Sequence, residues 1–260
     1  MITETSDSLH GRQQQANRLL DRFAAYTAYR HGSSNRYLKW LGSNPTLTVD
    51  QVVRFLMFWY PVSRHQPQIL LQCMVNFSRW NDRLSVLPNW FEEDGMGPGQ
   101  DPHYFLLQEL IKKLDPSFEL DKKIVRGNGS VSLDDQYEGD PESNATVSAF
   151  HDKLYRKLSA AEVSGLIAAI EHPALDISAY FNKIVALCGR HDLLETDTYL
   201  LIHIDVEPDH IIASHSKAEE YIMRGKTDEV VGIFREATEF WCDFWAKAFE
   251  KLGYSASEAQ

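Results

Sequence analysis

Six residues of mixed carboxylate and imidazole type, Glu93, His103, Glu171, His203, Glu207 and His210, stand in the order and at the spacings that a pair of non-haem iron ions requires. Carboxylates can bridge and neutralise two hard divalent cations, and imidazoles complete the coordination without adding negative charge. If the six converge in space, the chemistry they serve is activation of dioxygen.

The last three form the sharpest piece. His203, Glu207 and His210 lie at i, i+4 and i+7, and at about 3.6 residues per turn they share one helical face. Residues 199–212 are mostly apolar, so that face should turn inward, where an unpaired charge is costly. Pro208 supports an opposing reading. It lacks an amide donor and fits best in a first helical turn, with Glu207 as a cap and His210 exposed. We read Pro208 instead as a local kink within one helix.

Glu171 closes the run 161–171, whose apolar stripe is Val163, Ile167, Ile170 and Ala174, and it falls nearly on that stripe. A lone buried carboxylate is driven neutral, whereas a cation beside it keeps it ionised, so a metal is the economical partner. The plainer reading leaves Glu171 at the helix edge and Glu162 as a first-turn acid. Glu93 and His103 flank a turn with Gly95, Gly97 and Gly99, and His103 opens a second stripe with Leu107, Leu110 and Leu114. This is not a phosphate loop: no strand precedes it and no Gly-Lys-Ser or Gly-Lys-Thr follows. Glycine here permits a tight reversal.

Together, the Glu93-x-Gly95 run, His103, Glu171 and the His203-x3-Glu207-x2-His210 triplet resemble the haem-oxygenase-like di-iron oxidase superfamily, from about Phe55 to the C-terminal aromatic helix. The resemblance implies an all-α, single-domain seven-helix bundle of the haem oxygenase type. It implies two Fe(II) ions as cofactor, with manganese able to replace one, dioxygen as co-substrate and an external reductant. It also implies that Glu93, His103, Glu171 and His210 gather around one iron and His203 and Glu207 on the other, with at least one carboxylate bridging. Two departures stand out. Glu207 occupies a position more often held by aspartate, and it is one methylene longer. Some members that oxygenate nitrogen use an additional glutamate on the preceding helix, but residues 57–81 contain none, leaving Asp82, His65 or Gln66 as poor substitutes.

Relatives of this kind oxygenate amine nitrogens, cleave carbon–carbon bonds in amino acids or decarboxylate fatty acids. The expected function is therefore oxidation of a small organic metabolite, with an amine or amino-acid-like substrate favoured because no long apolar groove is legible. A ferritin-like bundle would take a Glu-x-x-His motif from each of two helices. Among the candidates only Glu207 and His210 have that spacing. Two other readings differ in class. One is a metal-free enzyme on the same fold, either cofactorless and quinone-forming or thiaminase II-like with Cys188 or Cys242 as nucleophile. The other is a haem-degrading or noncatalytic helical binding protein, with His10 or His31 as a proximal ligand.

Bulk properties narrow the partners. The 260 residues suffice for one full core at 43% hydrophobic content, and 26 basic against 37 acidic side chains leave a charge of −11. That balance disfavours nucleic acid and anionic membranes. The expected partners are a small-molecule substrate and an external electron donor, and a homodimer is left open. Cys73, Cys188 and Cys242 are odd in number and set in apolar helical context, which suits reduced core thiols. No signal-peptide pattern opens the chain and no apolar run reaches the roughly 18 residues of a membrane span, so a cytoplasmic location is expected.

Helical periodicity must supply the elements that position the six residues. A first amphipathic helix is expected over 8–29. Thr48 should cap a helix from Val49, with Gln51 as its capping-box partner and Pro61 as an interruption. Core helices are expected over 68–80, carrying Leu70, Leu71, Met74 and Phe77, and over 103–114. A long acidic loop, read as a mobile insertion and candidate lid, should span about 126–145. Helices follow over 149–158, 160–171, 177–188 and 195–223. Thr227 should cap the last, with the stripe Val230, Phe234, Ala237, Trp241, Trp245 and Ala248. Phe55, Phe58, Trp59, Tyr60, Tyr180, Phe181, Trp241 and Trp245 read as core, with a subset lining any pocket. His65, His151, His172, His191 and His215 read as surface or capping residues.

Overall fold

Thr48 opens the longest helix as its residue type demands. Its hydroxyl accepts from the Gln51 amide while the Gln51 side chain accepts from the Thr48 amide. This is a computed structural model, and it describes residues 36–96, 101–118, 139–154 and 157–255. Among these are nine α-helices: α1 Arg36–Gly42, α2 Val49–Asn76, α3 Trp80–Glu93, α4 His103–Leu114, α5 Pro141–Leu154, α6 Ala160–Glu171, α7 Ala174–Leu187, α8 Thr198–Met223 and α9 Thr227–Lys251. A short 3-10 helix, His191–Glu195, precedes α8, and no strand occurs among the described residues. The all-α class follows. The helix expected over 8–29, and His10 and His31, lie outside the described residues.

Pro61 does not interrupt α2, contrary to expectation. It has no amide for the Met57 carbonyl, which instead accepts from the Asp140 amide at 3.2 Å. One residue on, the Ser143 hydroxyl donates to the Phe58 carbonyl. A neighbouring turn thus satisfies the acceptor that the proline frees. That turn needs Gly139, whose φ of 74° is left-handed and whose missing Cβ would stand 2.9 Å from Pro61 Cδ. The acidic loop is therefore shorter than expected at its C-terminal end. Asp140 accepts from the amides of Glu142 and Ser143 and starts α5 at Pro141, eight residues before the helix start read from sequence.

Other boundaries also move. The helix expected over 68–80 is the end of α2, and Trp80 begins α3. Leu70 and Phe77 are buried, but Leu71 is exposed and does not belong to the core. Thr227 is the first residue of α9 rather than its cap. The α9 stripe is buried throughout, as are all eight aromatic residues assigned to the core.

Helix directions follow from side-chain contacts. Gln51 Nε2 donates to the Leu252 carbonyl and Trp59 stacks near Trp241 and Trp245, so α2 and α9 are antiparallel. Asp82 meets Lys217 and Glu92 meets His210, so α3 runs against the C-terminal part of α8. Lys113 meets Asp197, so α4 runs against its N-terminal part. The apolar interior falls into two clusters. One is aromatic, with Phe55, Trp59, Phe181 and Tyr199; the other is largely aliphatic, with Ile69, Leu70, Leu166 and Ile222. On α2 and α8 a polar band separates them, and the candidate residues lie in that band.

Candidate metal centre

The junction between α3 and α4 brings two candidates together. Glu93 ends α3, His103 begins α4, and His103 Nδ1 lies 3.0 Å from Glu93 Oε2. Gly95 makes this approach possible. Its φ is 63°, and a Cβ there would sit 2.2 Å from the Pro102 nitrogen. Gly97 and Gly99 lie outside the described residues. The stripe that His103 opens, Leu107, Leu110 and Leu114, is buried as expected.

Opposite that junction runs α8. Asp197 caps it by accepting from the Leu200 amide, and the helix continues through Pro208 to Met223. The reading of Pro208 as a helix start therefore fails, because Glu207 and His210 are 5% and 8% exposed. From α6, Glu171 reaches the same place, 3% exposed. Its Oε2 lies 3.9 Å from His210 Nδ1, and Glu207 Oε2 lies 3.6 Å from the same nitrogen. Among the described residues, Glu171, Glu207 and His210 form the group compact enough to share one metal ion. The imidazole of His203 faces that of His103 at 4.9 Å between ring centres, and its Nε2 is 4.0 Å from Glu207 Oε1. The side chains thus divide as Glu93, His103 and His203 on one side and Glu171, Glu207 and His210 on the other, with Glu207 reaching both. This is not the grouping that the resemblance implied. The Glu93–His103 and Glu171–His210 pairs stand apart because Glu93 turns toward the start of α4, whereas Glu171 descends onto the middle of α8.

The electrostatics reflect crowding of like groups. Burial, with the Glu207 charge beside it, pushes the Glu171 carboxyl up to about 8. Burial opposes the charged form of His210, yet its contacts with Glu207 and Glu171 outweigh that and raise it to about 9. Glu93 is lowered and His103 raised: burial works against both charges, and their mutual attraction wins. His203 is lowered by burial and by the neighbouring His103. His103 Nε2 and His210 Nδ1 are buried without a hydrogen-bond partner, and His103 Nδ1 has Glu93 alone beside it at 3.0 Å. Buried polar atoms are rarely left so. Three imidazoles and three buried carboxylates with such atoms turned into the band suit hard or borderline divalent cations such as iron.

Several residues that the sequence reading passed over complete the site. Glu92 Oε2 is 2.6 Å from His210 Nε2, so Nδ1 is the nitrogen left for a metal. The His203 Nδ1 pairs with the Tyr199 carbonyl at 2.7 Å, leaving its Nε2 directed at Glu207. Asn89 Nδ2 donates to Glu171 Oε1 at 2.8 Å. The Tyr199 hydroxyl accepts from Trp59 Nε1 at 2.8 Å, and burial holds its phenol far above the ordinary value. Asn89 and Tyr199 each stand four residues before a candidate, on the same face, and could have been found by that periodicity. Glu92 could not, because adjacency to Glu93 points it elsewhere on the helix.

Of the substitutes for a supplementary ligand, only Gln66 borders the site. It lines a small cavity of about 40 Å³ with Trp59, Ile170, Tyr199 and Trp241 and the acidic wall of Glu93, Glu171 and Glu207. Asp82 is held away by Lys217 and Tyr221, and the His65 ring lies beside His151. His151 is buried, not a surface residue as expected. His172 caps α6 and stacks on His215, and His191 is exposed. A larger groove of about 320 Å³ reaches the other side of His210. The three cysteines are free thiols, and neither Cys188 nor Cys242 lines either cavity.

Known proteins give an independent comparison. The fold is shared with a CADD-like protein of unknown function from Nostoc punctiforme, with a TM-score of 0.64 at 17% identity over 94% of this chain and 98% of that one. A search of curated proteins finds no match. No helix among the described residues is long and apolar enough to cross a membrane. Residues 53–241, which span Glu93 to His210 and both halves of the core, match the family of iron-containing redox enzymes, and the chain belongs to that family.

Proposed function

We propose that this protein is a non-haem di-iron oxidoreductase that uses dioxygen to oxidise a small amine or amino-acid-like metabolite, by N-oxygenation or oxidative carbon–carbon cleavage. The observation that carries this reading is the convergence of buried Glu93, His103, Glu171, Glu207 and His210 with the partly buried His203, where His103 Nε2 and His210 Nδ1 find no hydrogen-bond partner in the protein. Glu93, His103 and His203 would hold one iron and Glu171 and His210 the other, with Glu207 between them. Two Fe(II) ions, or one with manganese, would supply the electrons that reduce dioxygen.

The remaining work falls to the chain itself. Glu92 and the Tyr199 carbonyl fix which nitrogen His210 and His203 present, and Asn89 orients the Glu171 carboxylate. Trp59, Ile170, Ile177 and Trp241 give the small cavity an apolar wall, and its about 40 Å³ suits a molecule the size of water or dioxygen. The Tyr199 phenol, kept neutral by burial, can donate a hydrogen bond toward that space. Repeated turnover draws electrons from an external donor.

Metal analysis of protein produced with added iron tests the reading, together with oxygen uptake after the anaerobic ferrous protein is mixed with dioxygen. Two irons per chain and stoichiometric uptake are expected. Metal-free protein that hydrolyses thiamin through a thiol, or a strong porphyrin band, would overturn it.

A further inference from the structure

The larger groove runs between α3, α6 and α8, and its two ends differ in charge. One end is formed by Glu92 and Asp209 beside His210, next to the buried carboxylates. Lys217 closes the other. Its ammonium donates to Asp82 at 3.0 Å and Glu220 at 2.8 Å, and a lysine carries three donors, so one remains for the groove. Arg79 and Arg224 also contact Glu220. Three cations thus share two carboxylates in this network, and because Arg79 and Arg224 lie outside the groove, the cation that the groove meets is Lys217, through its third donor. The wall between the ends is apolar, with Val86, Pro88, Ile167 and Ala213. His210 and Lys217 are seven residues apart on α8, roughly 10 Å along its axis. The volume of about 320 Å³ is at the lower end of small-molecule sites.

We infer that this groove is the substrate site and that it takes an elongated zwitterion, with its carboxylate on Lys217, its methylene chain along Val86 and Ile167, and its ammonium against Glu92 and Asp209. The amine-bearing carbon is then the part of the substrate beside His210. Which end reacts rests on the oxidase reading; binding does not. A monocarboxylate would set an apolar end against Glu92 and Asp209, and a monoamine would leave the third Lys217 donor without an acceptor in the groove. Leaving a buried or half-buried charge unmatched is what makes such a site selective.

Calorimetric titration of the purified protein tests this with 4-aminobutanoate, 6-aminohexanoate and 8-aminooctanoate, using hexylamine and hexanoate as controls. At least one amino acid of the series should bind tenfold or more tighter than either control, and Lys217→Gln should erase that preference. Because Lys217→Gln also removes the nearer of the two cations beside Asp82, Ala213→Leu serves as the second variant. It fills the exposed middle of the groove without touching an ion pair, and should abolish binding while circular dichroism and iron content stay unchanged. No binding by any of the three amino acids, equal binding of hexylamine, or undiminished binding to Ala213→Leu would overturn the assignment. Iron measured on the same samples separates the two readings. Zwitterion binding without iron removes the oxidase and leaves the groove, whereas two irons without zwitterion binding does the reverse.

Discussion

Glu92 holds His210 Nε2 at 2.6 Å, on the side of the ring away from Glu171 and Glu207. Its neighbour Glu93 turns to His103 instead, because consecutive helical residues point about 100° apart. One adjacent pair of glutamates thereby serves two imidazoles on two different helices. A carboxylate behind a ligating histidine fixes its tautomer and raises its basicity, and loss of such a partner typically weakens metal binding by about 10–100-fold.

Glu92→Gln should therefore lower iron affinity by about one to two orders of magnitude while two irons still load at saturation. Competition with a chelator of known affinity reads this directly. Unchanged affinity would leave Glu92 as no more than a surface acid.

His203→Ala and His210→Ala should abolish loading of at least one iron with the helical circular dichroism largely intact. Both side chains sit in the polar band between the two apolar clusters, not within either. Full loading in both variants would exclude them as ligands.

Without metal, the centre should become less stable as pH rises. The Glu171 carboxyl titrates near 8 in the fold against 4.5 ordinarily, and His210 near 9 against 6.5. Between each pair of values the folded chain holds a proton that the unfolded chain has released, so stability is greatest at low pH within the window and is lost toward the upper value. His203, lowered by burial, opposes this only below its ordinary value. From pH 6.5 to 9 the unfolding free energy of metal-free protein, read from denaturant titrations, should fall by on the order of 1 kcal/mol per pH unit. Metal loading should flatten the curve and release protons into a weakly buffered solution. A flat metal-free profile would show that these side chains do not share protons.

Gly165→Ala should destabilise the fold by about 1–3 kcal/mol despite the better helix propensity of alanine. A Cβ at this position would stand 2.4 Å from the Val230 carbonyl oxygen and 2.8 Å from Ile233 Cγ2, where α6 crosses α9. Thermal unfolding followed by circular dichroism measures the cost, and an unchanged midpoint would mean that the crossing is looser than these distances imply.

Much of this arrangement was legible in the residues themselves. The i, i+4, i+7 spacing of His203, Glu207 and His210 put three groups on one face, and Val163, Ile167 and Ile170 carried Glu171 to the core, because helical periodicity is a local property. The capping boxes at Thr48 and Ser159 are equally local and stand where their residue types place them. Pro61 was misread for the complementary reason. Its effect depends on whether a distant group satisfies the Met57 carbonyl, and the amide that does so belongs to Asp140.

Partnership across helices was settled only in the folded chain. Nothing in the order of residues pairs Glu92 with His210, Asn89 with Glu171 or Lys217 with Asp82. Nor could it reveal that Glu171, Glu207 and His210 form the compact group while His103 sits with Glu93 and His203. The sequence by itself determined an all-α chain and which side chains each helix turns inward, because backbone hydrogen bonding gives every helix the same short period. Which imidazole meets which carboxylate, and the groove with opposite charges at its ends, were decided by the crossing of α3, α4 and α6 over α8. Those crossings depend on close packing between segments far apart in the chain, such as the contact at Gly165 and the turn that Gly95 allows.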